Sequence, residues 1–322
     1  MTSKKISRIK IGFSEKLFIA GSLFLLVLLL QNPKATANSV NISLIQCATM
    51  LIPSLFPLMI ASEIALNCGA IDYVTKPLSK IFATILGVNK RAVAPFFLGL
   101  IGGYTASVGG ALSLYRAGEI SKRDCERIIA LSSIPSLSFM TGFVGSAMFK
   151  SSRLGWILWG ITVFSAVITS FLGRKSKGSA RISDSPFFAP TPSKKSPSRI
   201  VVEAISHSAY SMLIICACVV FFSVFLDTLK SPLQCLDLPQ NMQKFLLGAF
   251  EITNGVSICA GIENFPLNVS FCAFMIGWSG FSVHCQIIAL SDGEDLSFKR
   301  YFVFKAIQGL ISMLLTFIIF NK

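Results

Sequence analysis

The chain has 322 residues, 53% of them hydrophobic and only 14% charged, with a mean hydropathy of +0.69. Soluble domains carry roughly 25% charged residues, so this composition excludes an ordinary soluble fold and indicates an all-α polytopic membrane protein. The net charge of +14 does not point to nucleic acid, because the basic residues gather at Lys4–Lys16, Lys76–Arg91, Arg116–Arg127 and Arg174–Arg199. These clusters flank the apolar stretches, as cytoplasmic loops do under the positive-inside rule.

In chain order, Lys4, Lys5, Arg8, Lys10 and Lys16 precede an apolar run from Leu17 to Leu30. Residues 1–31 read as a basic segment with a first transmembrane helix. A cleaved signal peptide ending near Ala35-Thr36-Ala37 is the alternative. Ser43–Leu66 is long enough to span and holds Pro53 and Pro57, which remove backbone donors and bend it. Asp72–Gly87 is shorter and amphipathic, with Lys76 and Lys80, and reads as a helix on the interface.

Val93–Tyr115 follows, apolar but interrupted by Gly102-Gly103-Tyr104-Thr105-Ala106-Ser107. Ile128–Phe149 is apolar and broken by Ser132-Ser133-Ile134-Pro135-Ser136, and Leu154–Leu172 is a clean span. Residues 173–199 turn abruptly to Ser, Pro, Lys and Arg, the composition of a flexible cytoplasmic linker. Ala204–Leu226 spans again, and Lys230–Pro239 connects. Lys244–Gly261 carries a second interruption at Glu251-Ile252-Thr253-Asn254-Gly255. Val269–Leu290 is broken at Gly277-Trp278-Ser279-Gly280, and Tyr301–Phe320 is the last span.

The order span, surface stretch, interrupted segment, broken span, span therefore occurs twice, in 40–172 and 200–322. Residue identity between the halves is weak, so the repeat rests on element order. If Val93–Tyr115 crossed the membrane, Arg116–Arg127 and the basic linker would lie outside. A re-entrant hairpin keeps both inside and satisfies the positive-inside rule. Each half then crosses three times, which makes the repeats inverted, an arrangement of many secondary transporters. The expected fold is two inverted repeats, each with a re-entrant helical hairpin and a broken transmembrane helix.

Irregular backbone at membrane depth persists only where protein or a wet cavity satisfies it. The substrate-binding candidates are Gly102, Gly103, Tyr104, Thr105, Ser107, Ser132, Ser133 and Ser136 in the first half. In the second they are Glu251, Thr253, Asn254, Trp278, Ser279, Ser282, His284 and Gln286. Half-helix N-termini supply unpaired N–H groups and partial positive charge, enough to hold a carboxylate without Lys or Arg. Hydroxyls and amides add partners, and Tyr104 and Trp278 offer faces for stacking a ring. Any single Ser or Thr among these can instead bond its own backbone. Glu251 and His284 are ionisable groups at membrane depth, which are functional by default. Glu251 could bind a coupling ion, carry a proton or cap its half-helix. Glu63 and His207 read as interfacial.

No catalytic role is expected. Nine cysteines form no CxxC pair, and two histidines are too few to suggest a zinc site. Gly102-Gly103 lacks the Gly-Lys-Ser/Thr of a phosphate loop. No metal and no cofactor are expected. The partners are a small solute and the bilayer, not nucleic acid, with homo-oligomerisation left open.

Pro53-Ser54-Leu55-Phe56-Pro57, Gly102-Gly103-Tyr104, Glu251-Ile252-Thr253-Asn254-Gly255 and Gly277–Gln286 together resemble the nucleoside-recognition "Gate" membrane proteins. Within them they resemble the YlbJ (SpoVV) sporulation integral membrane group, over about residues 40–320. The element order also looks like that of concentrative nucleoside transporters. The resemblance implies a carrier in the bacterial cell membrane. For the YlbJ group it implies dipicolinate export across the outer forespore membrane; a nucleoside-type carrier and a non-transporting protein of spore assembly are the alternatives. Two departures fall in the presumed substrate shell. Ser132-Ser133 stands where the family has an Asn-rich tip, and Thr105 replaces a proline.

Overall fold

The computed structural model describes residues 13–68, 70–172, 196–235 and 237–321. The first basic cluster up to Lys10 and positions 173–195 of the expected 173–199 linker lie outside the described residues, and the linker's last residues, from Pro197, already belong to a helix. Every regular element among those described is helical.

Helix α1 (Phe13–Gln31) covers the first apolar run. Helix α2 (Pro33–Gln46) starts on a proline at its first turn, where the missing N–H costs nothing. It runs through a π-helical turn, Cys47–Leu51, into α3 (Ile52–Asn67). The helix therefore begins ten residues before the expected Ser43. Pro57 lies inside α3. Helix α4 (Ala70–Leu86) is strongly amphipathic and meets the next helix at 104°. That crossing suits a helix lying along a surface more than one continuing a span.

Helices α5 (Val93–Gly102) and α6 (Tyr104–Arg116) flank the first interruption. Gly103 makes the break, at φ 80°, ψ −172°, a region open essentially to glycine. Arg91, just before α5, pairs with Glu119, just after α6, at 3.2 Å, so the two outer ends lie together. Helix α7 (Lys122–Ser132) is capped by Ser121 and ends at the Ser-Ser-Ile-Pro break. Beyond it the chain resumes as a π-helix, Phe139–Met148, then α8 (Ser152–Leu172).

In the second half, α9 (Pro197–Gln234) is one unbroken helix of 38 residues. It joins the expected span and its connecting stretch, because nothing before Pro232 disrupts it. Helices α10 (Gln240–Gly248) and α11 (Ile252–Ala260) flank the second interruption. Helices α12 (Phe265–Trp278) and α13 (Gly280–Leu290) flank the second broken span, with Ser279 and Gly280 both at positive φ. Helix α14 (Lys299–Phe320) closes the fold against α12, α8 and α7.

Among the described residues, five helical stretches are long and apolar enough to cross a membrane, or six if the bent α4–α5 pair counts as one span. The protein is thus an integral, multi-pass helical membrane protein. Close approach is bought with glycine. A Cβ on Gly277 would lie 2.8 Å from the Gly309 Cα, bringing α12 and α14 into backbone contact. A Cβ on Gly255 would overlap the Gly248 carbonyl oxygen, so α10 and α11 touch without intervening side chains.

Candidate functional site

Each helix pair presents its tip to the broken helix of its own half. A Cβ on Gly103 would lie 3.2 Å from the Ser136 backbone nitrogen. A Cβ on Gly280 would lie 2.9 Å from the Ile252 nitrogen, and Ser282 N–H donates to the Phe250 carbonyl at 3.1 Å. The two halves then join. Ser279 Oγ donates to the Ser133 carbonyl at 3.4 Å, and Tyr104 O–H donates to Gln286 Oε1 at 2.5 Å.

Between these tips lies a chamber of about 570 Å³, within the range of small-molecule sites. Nine of the sixteen candidates line it: Gly102, Gly103, Tyr104, Thr105, Ser136, Glu251, Thr253, Ser279 and Gln286. Glu251 is 3% exposed and caps α11, its Oε2 accepting from Asn254 N–H at 2.7 Å. A carboxylate there both satisfies a free N–H and neutralises the positive end of α11.

Seven candidates do not line the chamber. The Ser132 and Ser133 hydroxyls turn back to the Ile128 and Ile129 carbonyls, and Ser107 bonds Ser132. Ser/Thr side chains in apolar helices commonly do this. Asn254 donates through its amide to the Val219 carbonyl at 3.3 Å, and Ser282 is buried on the Phe250 carbonyl. The Trp278 indole N–H is spent on the Ala249 carbonyl at 2.9 Å, which takes its ring out of the wall. His284 packs edge-on against Trp278, Tyr301 and Phe302. Its Nδ1 pairs with Tyr301 O–H at 2.7 Å, while its buried Nε2 has no hydrogen-bond partner.

One wall was not anticipated. Helix α9 contributes His207, Tyr210, Ser211, Ile214, Ile215 and Cys218. Their spacing of 3, 4, 7, 8 and 11 residues is a single helix face, and that periodicity was the available signal. His207 also reaches Glu63 of α3 at 3.4 Å, near the chamber's edge. Two buried cations were missed as well. Arg127 donates to the Leu86 carbonyl at 2.6 Å and to the Ser170 carbonyl, closing the junction of α4, α7 and α8. Lys305, on α14, is 0% exposed and donates to the Ser133 carbonyl at 2.7 Å and to Gln308 Oε1 at 2.9 Å.

No group of three or more His, Cys, Asp or Glu among the described residues could hold a metal. The fold and chamber define a multi-pass membrane protein with two broken helices meeting two bent helix pairs. A family model described as "Gate: Nucleoside recognition" matches residues 48–151, from the first π-helical turn to just before α8. The chain is also 24% identical to the sporulation integral membrane protein YlbJ of Bacillus subtilis (strain 168), across 89% of this chain and 78% of that protein. The chain is thus similar to Gate-domain membrane proteins over 48–151 and to a YlbJ-type sporulation membrane protein over most of its length. No solved structure matches significantly.

Proposed function

We propose that the protein is a membrane carrier that binds a small anionic or ring-containing solute in the chamber. One observation carries this reading: four helical segments begin at a single cavity. They are α6 at Tyr104, the π-helix after Ser136, α11 at Glu251 and α13 at Ser279. Each start concentrates free N–H groups and about half an elementary charge. Glu251 caps α11, Ser136 Oγ takes the Phe139 N–H and the Phe250 carbonyl takes the Ser282 N–H, so the start of α6 and the N–H groups still unpaired at the other starts are what a ligand would meet. The lining contains no Lys or Arg, so attraction for a carboxylate would come from backbone.

We read α5–α6 and α10–α11 as re-entrant hairpins of inverted repeats, like those of concentrative nucleoside transporters. Surface contacts support this. Arg116–Glu294 at 2.6 Å, Lys122–Asp295 at 2.8 Å and Ser297 N–H to Glu126 at 2.8 Å gather the end of α6, the start of α7 and the α13–α14 loop. A separate cluster joins Gln46, Ser257 and Met148 at 3.0 and 3.5 Å, gathering the ends of α2, α11 and the π-helix. The charge pattern assigns the first cluster to the cytoplasm. The chamber extends to His207 and Leu290, at the same end, which suits an inward-facing carrier.

Dipicolinate combines two carboxylates with a ring, and the chamber offers helix starts together with Tyr104 and Tyr210. The printed name of the YlbJ relative concerns sporulation, and dipicolinate export across the outer forespore membrane is the specific reading. A nucleoside is the second substrate reading, favoured by the uncharged hydroxyls and amide of the lining. An open chamber with a few convergent polar groups (Tyr104, Thr105, Ser136, Glu251, Gln286) among apolar side chains weighs against a purely structural protein, whose tips would pack together without a cavity. Proteoliposomes loaded with dipicolinate test the assignment. Saturable efflux that competes with unlabelled dipicolinate is expected; efflux equal to empty liposomes refutes it.

A further inference from the structure

The other face of the first break holds a feature the chamber does not use. The Ser133 carbonyl stands at the C-terminal, partially negative end of α7. It accepts from Ser279 Oγ and from Lys305 Nζ, and Lys305 also donates to Gln308 Oε1. Gln308 is fixed in turn by donating to the Thr162 carbonyl of α8 at 3.3 Å. Lys305 is wholly buried and forms no ion pair among the described residues. Its partners are a carbonyl at a helix break and an amide oxygen, both neutral oxygens.

Neutral oxygens at the end of an unwound helix are the ligand set with which carriers bind a coupling cation at membrane depth. Here the Lys305 amino group already bonds two such oxygens. A buried amine also incurs a desolvation cost, so its retention needs a role beyond filling space. An apolar side chain would fill the space but leave the Ser133 carbonyl and the Gln308 oxygen with fewer partners.

We propose that the Lys305 amino group stands where a coupling cation would sit among these neutral oxygens, holding the α7 break in register with the break at Ser279, so that the protein works without an alkali cation. Lys305 is therefore a positioning residue, acting on the chamber through Ser133. The proposal takes its functional meaning from the carrier reading, but its first test does not depend on that reading.

That test is thermal stability of the purified full chain in sodium chloride against N-methylglucamine chloride. The wild type is expected to melt at the same temperature in both. Lys305→Ala vacates the position, and sodium is expected to raise its melting temperature while N-methylglucamine does not. A sodium-stabilised wild type, or a Lys305→Ala variant indifferent to sodium, overturns the proposal. If Lys305→Ala does not fold, the wild-type comparison still decides. In proteoliposomes, wild-type dipicolinate efflux should be unchanged on sodium replacement, and Lys305→Ala should reduce it about tenfold in N-methylglucamine, the size of one unsatisfied buried polar group. Sodium-dependent wild-type efflux overturns the proposal. Absence of any wild-type efflux removes the dipicolinate reading and leaves the cation claim to the stability result.

Discussion

Replacing Gly103 by alanine tests how the first tip is built. Its backbone sits at φ 80°, ψ −172°, and a residue with a side chain held there costs about 1–3 kcal/mol. The added Cβ would also press on the Ser136 nitrogen and Cβ at 3.2 Å, closer than ordinary contact. Two responses are open to the chain. It can keep the tip and bear the strain, or let the tip retreat from Ser136 and carry Tyr104 away from Gln286. A cost near 2 kcal/mol corresponds to roughly 30-fold in the population of the native tip. Thermal unfolding in detergent and dipicolinate efflux should therefore both fall. Gly160→Ala is the control, since its Cβ meets nothing within 4 Å and alanine is the better helix former by about 1 kcal/mol. If Gly103→Ala melts and transports like Gly160→Ala, the tip is not held by that backbone conformation and the reasoning fails.

Other substitutions probe neighbouring contacts. Tyr104→Phe removes the bond to Gln286 and should destabilise the fold by about 0.5–1.5 kcal/mol, read as a lower melting temperature in detergent. Glu251→Ala removes the α11 cap and should destabilise by about 1 kcal/mol. Glu251→Gln keeps an oxygen for Asn254 N–H and should melt nearer to wild type, so circular-dichroism melts of the pair separate cap from charge. Gly277→Ala forces α12 from α14 and should cost about 1–3 kcal/mol, visible as a lower melting temperature. The Arg116–Glu294 pair is solvent-exposed on the arginine side, so a double-mutant cycle should give a coupling below about 1 kcal/mol.

The breaks were legible because glycine, proline and clustered polar residues are conspicuous inside apolar runs. The breaks at Gly103, 133–136 and Ser279 fall within the expected Gly102-Gly103, Ser132–Ser136 and Gly277–Gly280, whereas the second interruption lies at 249–251 and all of the expected Glu251–Gly255 beyond Glu251 opens α11. Which side chains face the chamber was less legible. Ser132 and Ser133 sit at a break, yet their hydroxyls serve the preceding turn, a choice made by rotamer and not by composition. Trp278 has the flat ring that stacking needs, but the carbonyl that claims its N–H lies 29 residues earlier. The α9 wall escaped notice because no break marks it, although His207, Tyr210, Ser211 and Cys218 share one face. Lys305 was missed for a different reason. It lies within two turns of the start of α14, near Lys299 and Arg300, where a lysine can ordinarily reach the interface. Only the packing of α14 against three neighbours buries it.

The contact between Gly248 and Gly255 has a mechanical consequence. Two helices separated by side chains can shear, because rotamers yield. Two helices whose backbones already touch have nothing left to yield, so α10 and α11 cannot slide or pinch against each other. Any displacement of the Glu251 tip must then be a swing of the whole pair about its outer ends, near Pro239 and Gly261. Those ends, far from the chamber, are the places where a spin label or crosslink would register the motion.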